Sequence, residues 1–169
     1  MSWSLRPLHS EGRAHRGQLE RLTRATGLFR QEEIATALEL LDESLAGDED
    51  YRFLGAFDGD QLLGYACWGP TPGTEGTWDL YWIVVDRERQ GLGIGTQLLA
   101  EVESRLTADG ARLTIVETSS RPDYGPTRGF YEARGYRRTA TIPAYYAPGD
   151  DLVIYTKDLT RGDLARAAP

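Results

Sequence analysis

The stretch Trp82-Ile83-Val84-Val85-Asp86-Arg87-Glu88-Arg89-Gln90-Gly91-Leu92-Gly93-Ile94-Gly95-Thr96-Gln97-Leu98-Leu99 decides how the rest of the chain is read. The apolar run Leu80 to Val85 enters a polar, glycine-rich turn. The run suits a strand covered on both faces. An amphipathic helix is predicted next, from about Gly95 to Ala108, with Leu98, Leu99, Val102 and Leu106 on one stripe. A helix start carries unpaired N–H groups and a partial positive charge, so it can hold a phosphate. Glycine lets the backbone approach such a ligand with no Cβ in the way. Three anion-binding patterns compete for this turn. A Walker loop is excluded because no lysine follows, Lys157 being the only one in the chain. The dinucleotide pattern G-x-G-x-x-G fails at Thr96, which stands where the third glycine belongs. The pattern Q/R-x-x-G-x-G fits Gln90, Gly93 and Gly95. A tight structural turn without a ligand is the competing reading.

Working outward, Trp3 to Pro7 reads as a short strand and Ala14 to Thr26 as a helix. A second helix is predicted over Gln31 to Leu45, with Ile34, Ala37, Leu38, Leu41 and Leu45 at helical spacing. Tyr51 to Phe57 and Gln61 to Trp68 form a hairpin about the tight turn Asp58-Gly59-Asp60. Trp78 to Val85 and Arg112 to Thr118 are strands. A short helix falls within Tyr124 to Arg134, and Tyr136 to Ile142 and Leu152 to Lys157 close the chain as strands. Residues 1–160 are expected to form one mixed α/β domain and 161–169 a flexible tail.

Composition narrows the functions available. The chain has 169 residues, enough for one sizeable domain. Its net charge of −7 disfavours a nucleic-acid partner, which needs clustered basic residues, and suits a cationic substrate. Cys67 is the only cysteine, so no intrachain disulfide can form, and its apolar setting points to a buried thiol. No window approaches the ~20 apolar residues of a membrane span, and the amino terminus lacks a signal-peptide core. The expectation is a soluble, cytoplasmic protein with no membrane partner. His9 and His15 form no ligand constellation, so no metal is expected.

A second motif lies beyond the glycine turn: Gly129-Phe130-Tyr131-Glu132-Ala133-Arg134-Gly135-Tyr136. Together with Trp82 to Asp86 and the glycine turn, it resembles the GNAT N-acetyltransferase family, whose signature there is F-Y-x-x-x-G-F/Y. The resemblance runs most clearly from Asp79 to Tyr136. It implies the GNAT fold: a central, mostly antiparallel twisted sheet of six to seven strands, the fourth and fifth splayed, flanked by about four helices.

The resemblance also implies a chemistry, the transfer of an acetyl group from acetyl-CoA to an amine. Backbone groups of Ile83, Val84 and Val85 would pair with the pantetheine arm. Gln90, Gly91, Leu92, Gly93, Ile94, Gly95 and Thr96 would cradle the pyrophosphate. A backbone N–H near Val84 or Val85 would polarise the thioester carbonyl. Tyr131 matches the family's general acid toward the departing thiolate; its other reading is a buried aromatic packed beside Phe130. Glu117, at the end of the fifth strand, is the candidate base; its other reading is a solvated strand-end carboxylate. This chain has about two more residues between that glutamate and the tyrosine than peptide N-terminal acetylases of the family, and Tyr124 stands where they carry asparagine.

Family acceptor sites use the loop between the first two helices and the loop between the last two strands. Phe29, Tyr145 and Tyr146 are therefore the substrate-side candidates, within Thr26 to Arg30 and Pro143 to Asp151. The second stretch has some resemblance to ribosomal-protein and other peptide N-terminal acetylases. Asp150 and Asp151 either attract a cation or keep that loop soluble, and Arg128 and Arg134 either reach the 3′-phosphate of CoA or are simply solvated. The leading expectation is acetyl transfer to a primary amine of a small molecule. The alternatives are a protein N-terminal or lysine acetyltransferase, and a non-catalytic acyl-CoA-binding sensor. Homodimers are common in the family.

Overall fold

The computed structural model describes residues 3–8 and 13–160. His9 and the expected tail at 161–169 lie outside the described residues. In chain order the elements are β1 (Ser4–Pro7), α1 (Arg13–Ala25), α2 (Gln31–Leu45), β2 (Arg52–Asp58), β3 (Gln61–Pro70) and β4 (Thr77–Val85). They continue with α3 (Ile94–Ala108), β5 (Leu113–Ser119), α4 (Gly125–Glu132), β6 (Arg137–Ala147) and β7 (Asp150–Asp158). The strands form one seven-stranded sheet in the order β1-β2-β3-β4-β5-β7-β6. It is mostly antiparallel, with a parallel pair, β4 and β5, at its middle. The expected fold class is therefore found, with the glycine turn and the helix in the places anticipated.

The chain divides into two compact units, Met1–Pro70 with Tyr81–Arg105, and Thr71–Leu80 with Leu106–Pro169. In the first unit, α1 and α2 bury Leu19, Leu22, Ile34, Leu38 and Leu41 in one cluster with Phe53, Phe57, Tyr65 and Cys67. The helical spacing seen in the sequence produces this face. The start of α2 is sealed by Glu33, whose carboxylate accepts the Arg30 N–H at 2.7 Å, satisfying a donor at the helix entrance. The buried Tyr65 hydroxyl shares a hydrogen bond with Thr23 Oγ1 at 2.8 Å. Cys67 is fully buried, and burial pushes its thiol well above its ordinary pKa, so it stays protonated and unreactive.

The β2–β3 hairpin turns through Gly59, whose φ of +57° belongs to the left-handed region that tight hairpin turns require. Further along β3, Gly64 lies against the end of β4. A Cβ at that position would stand 2.7 Å from the Val84 carbonyl oxygen and 3.4 Å from Ile94 Cγ2. Asp86 N–H donates to the Leu63 carbonyl at 2.9 Å, pinning the chain as it leaves β4.

In the second unit β5 pairs with β7 from Leu113↔Asp158 to Ser119↔Leu152. The parallel ladder with β4 runs Thr77↔Leu113, Trp78↔Thr114 and Asp79↔Ile115. β6 forms the sheet edge and is exposed along almost its whole length.

Two expectations need correction. The run Leu80 to Val85 is not covered on both faces: Leu80 and Val84 are buried, but Tyr81, Trp82, Ile83 and Val85 are only half-buried. Apolarity in a strand records what it can bury, and partly exposed strand positions carry the same residue types as the core. The stretch Pro143 to Asp151 is also not one loop. Strand structure continues through Ala147 and resumes at Asp150, so only Pro148 and Gly149 lie between β6 and β7. Tyr145 and Tyr146 favour extended backbone, and the turn is left to Gly149 at φ +81°.

Candidate active site

One group of expected site residues lies in the first unit. The chain leaves β4 through a short 3₁₀ turn, Arg87–Arg89, and reaches α3 through Gln90 to Gly93. Asp86 caps that turn by accepting the Glu88 N–H at 3.0 Å. Gly91 and Gly93 have φ of +79° and +88°, and a Cβ on either would meet nothing within 4 Å. These glycines are therefore required by backbone conformation and leave open space at the helix entrance. The first α3 bond runs from Gln97 N–H to the Gly93 carbonyl at 3.0 Å, so the N–H groups of Ile94 and Gly95 fall outside the helix ladder. Leu92, at the crest, is 48% exposed. Gln90 Nε2 reaches back to the Val85 carbonyl at 3.4 Å. Open space and N–H groups outside the ladder at the positive end of a fifteen-residue helix are an arrangement that could hold an anion. Phe29 belongs to the same unit, where it packs against the hydrophobic cluster beneath α1 and α2.

A second group lies in the other unit. Glu117 is exposed and follows Val116 on β5. Surrounding protein desolvates its carboxylate, and the nearby charge of Asp79 adds to this, so its pKa is raised above the ordinary 4.5. The strand register explains the pairing. Asp79 stands opposite Ile115, and Glu117 is the next residue on that face of β5. Asp79 is itself held by Thr71 Oγ1, which donates to Oδ2 at 2.7 Å. Sequence reading missed Asp79. Its signal was a single carboxylate inside the aromatic run Trp78 to Trp82.

Tyr131 sits on α4, 4% exposed, in edge-to-face contact with Phe130 and Tyr136 at centroid distances of 5.2 and 5.3 Å. Burial pushes its phenol well above the ordinary 10, so it is protonated at neutral pH. Among the described residues its hydroxyl has no hydrogen-bond partner. The helix that carries it is tied down by the neighbouring residue: Tyr155 on β7 donates its hydroxyl to Glu132 Oε1 at 2.7 Å. Burial and that carboxylate push Tyr155 up to about 12. This clamp was not visible in the sequence, because Glu132 and Tyr155 are far apart along it.

Four charged residues have internal roles. Arg128 Nη1 donates to the carbonyls of Ser119 and Arg121 at 2.5 and 3.0 Å. Arg134 lies over the Phe130 ring at 3.8 Å and donates to the Phe130 carbonyl at 2.8 Å. Asp150 is buried and accepts the Ser119 hydroxyl. Asp151 accepts the Ala144 N–H at 2.8 Å. Tyr145 is 55% exposed and meets Tyr146 edge to face at 5.0 Å. Among the described residues, no group of three or more His, Cys, Asp or Glu side chains is arranged to hold a metal ion, and no helix is long and apolar enough to cross a membrane.

The model of the GNAT acetyltransferase family matches residues 18–136, which include both the glycine turn and Tyr131. This chain belongs to the GNAT acetyltransferase family. Among solved structures, one assigned to an acetyltransferase of the GNAT family from Desulfovibrio desulfuricans is 42% identical, with a TM-score of 0.86, covering 94% of this chain and 99% of that one. An aminoglycoside 6′-N-acetyltransferase solved with coenzyme A is 21% identical over 94% of this chain and 97% of that one, at a TM-score of 0.75, and shows the shared GNAT fold. S-(2-succino)cysteine N-acetyltransferase of Bacillus subtilis is 31% identical over 97 residues, 57% of either chain. The alignments span about half the length of the curated relatives the chain matches.

Proposed function

We propose that this GNAT protein is an acetyl-CoA-dependent N-acetyltransferase whose acceptor is the primary amine of a small molecule. The observation that carries the reading is the open glycine turn at the start of α3. Gly91 and Gly93 adopt left-handed φ with nothing near the missing Cβ, and the N–H groups of Ile94 and Gly95 lie outside the helix ladder. A pyrophosphate fits that donor set. The half-buried Ile83 and Val85 offer strand backbone and apolar surface for a pantetheine arm. Acetyl-CoA, when bound, supplies a thioester whose acetyl group passes to a neutral amine as the CoA thiol leaves.

The chain's own residues supply the proton handling. A lysine-like amine has a pKa of about 10.4 and must lose a proton before it attacks. Glu117, with its raised pKa, is a stronger base than an ordinary carboxylate and takes that proton through a water. The Asp79 and Glu117 carboxylates also favour approach of a cationic amine. Tyr131, protonated and with a hydroxyl that bonds no other described residue, donates a hydrogen bond to the sulfur as charge develops on it.

Two results test these statements. Acetyl-CoA at a hundred times its Kd should stabilise the protein by about 2.7 kcal/mol, read as a rise in Tm; no rise at saturation would sink the reading. Acceptor class is then read from CoA release with S-(2-succino)cysteine, an aminoglycoside, an aliphatic polyamine and a tetrapeptide with a free amino terminus. On whichever of these is turned over, the acid limb of the kcat/KM profile should lie above the ordinary carboxylate range. Asp79→Asn removes one of the two causes of the raised pKa, so it should move that limb to lower pH. Glu117→Gln should abolish the limb. Profiles identical to wild type in both variants would remove Glu117 as the base.

A further inference from the structure

β6 leaves its ladder with β7 between Ile142↔Leu152 and Ala147↔Asp150. Four residues of β6, Pro143 to Tyr146, are set against the single residue Asp151 of β7. Such an excursion re-aims side chains away from the pleat. Within it Ala144 has φ +52°, the only non-glycine residue with positive φ among the described residues. A backbone in that region persists only where surrounding contacts impose it. The contact that does so is Asp151, whose Oδ1 accepts the Ala144 N–H at 2.8 Å.

Asp151 is itself fixed from the other side. Its N–H donates to Ser120 Oγ at 2.8 Å, and its carbonyl accepts the Ser120 N–H at 2.9 Å. Ser120 directly follows β5, the strand that carries Glu117. Asp151 therefore joins the end of the candidate base's strand, through its backbone bonds to Ser120, to a strained segment, through its carboxylate bond to Ala144, and that segment presents an exposed Tyr145 in contact with Tyr146. The bond that needs an aspartate is the one to the Ala144 N–H, and solubility alone would not require it.

We propose that Asp151 is the positioning residue of the acceptor site: it holds the Pro143–Tyr146 excursion in one conformation, so that Tyr145 and Tyr146 form the wall against which the non-reacting part of the amine rests. The proposal depends on the amine acetyltransferase reading. Asp151 makes no contact with the reacting atoms. Its removal frees Ala144 to return to an ordinary φ, which turns the tyrosines away and weakens acceptor binding without touching the acetyl-CoA cradle.

The test measures kcat and the two KM values separately, with the four amine probes named above. Asp151→Ala should raise the acceptor KM at least tenfold while the KM for acetyl-CoA stays at its wild-type value. Asp151→Asn keeps an oxygen acceptor for the Ala144 N–H and should recover most of the acceptor affinity. Tyr145→Ala, at an exposed position that the fold does not need, should reproduce the rise in acceptor KM even if Asp151→Ala fails to fold. An unchanged acceptor KM in Tyr145→Ala overturns the proposal. So does a loss in Asp151→Ala confined to kcat, or shared equally by both substrates, since that would mark a merely structural residue. If wild-type protein binds acetyl-CoA but turns over none of the four amines, the amine reading itself fails and the proposal falls with it.

Discussion

Tyr131→Phe is expected to lower kcat by about a hundredfold, the low end of the range for a positioned proton donor, while acetyl-CoA binding and Tm stay at wild-type values. The ring is 4% exposed and wedged between Phe130 and Tyr136, and phenylalanine keeps those contacts. The hydroxyl bonds no described residue, so no internal hydrogen bond is lost. Any loss of rate therefore reports on the reaction. The phenol, raised well above 10 by burial, is a far weaker acid than a thiol of pKa about 8.5. In the proposed reaction it would accordingly donate a hydrogen bond to the leaving sulfur, since complete transfer of its proton would be uphill. Measuring kcat beside acetyl-CoA affinity checks this: a rate equal to wild type would remove Tyr131 from the mechanism, and a fall in affinity without a fall in kcat would make it a binding residue.

Gly64→Ala should damage stability and cofactor binding together. The new methyl would stand 2.7 Å from the Val84 carbonyl oxygen, 3.3 Å from Val85 Cα and 3.4 Å from Ile94 Cγ2. Two of those three atoms are backbone, which cannot swing aside as a flexible side chain would. Overpacking of this kind costs about 1–3 kcal/mol, a fall in Tm of roughly 3–10 °C for a chain of this size. The strain falls on the end of β4 and the first residue of α3, the two ends of the glycine turn. Acetyl-CoA affinity should therefore drop by more than the loss of stability alone explains. Thermal melts with and without the cofactor separate the two effects; a variant melting within a degree of wild type and binding normally would show that β4 gives way freely.

Much of this architecture was legible locally. The α2 boundaries, Gln31 to Leu45, follow from apolar spacing and from the absence of breakers within the span. The glycine turn was legible for a similar reason, since the left-handed backbone at Gly91 and Gly93 is one that glycine adopts without strain. Where local patterning stopped being informative, the expectations shifted. The sequence reads Tyr145 and Tyr146 as loop, but the strand continues around them in an excursion that no local propensity encodes. Arg128 and Arg134, which the sequence leaves between a 3′-phosphate contact and solvent, donate to backbone carbonyls within their own unit.

The sequence by itself therefore determined which elements form, in what order, and where a glycine turn meets a helix start, because each depends on residues within a few positions of one another. Only the tertiary structure decided that Asp79 and Glu117 share one face of the sheet, that Tyr155 braces the helix bearing Tyr131 through Glu132, and that Asp151 holds Ala144 in its unusual conformation. All three depend on strand register or on how the last helix lies against the sheet. Register is set by the whole buried face at once, and a slip of one residue would turn Glu117 to the opposite side.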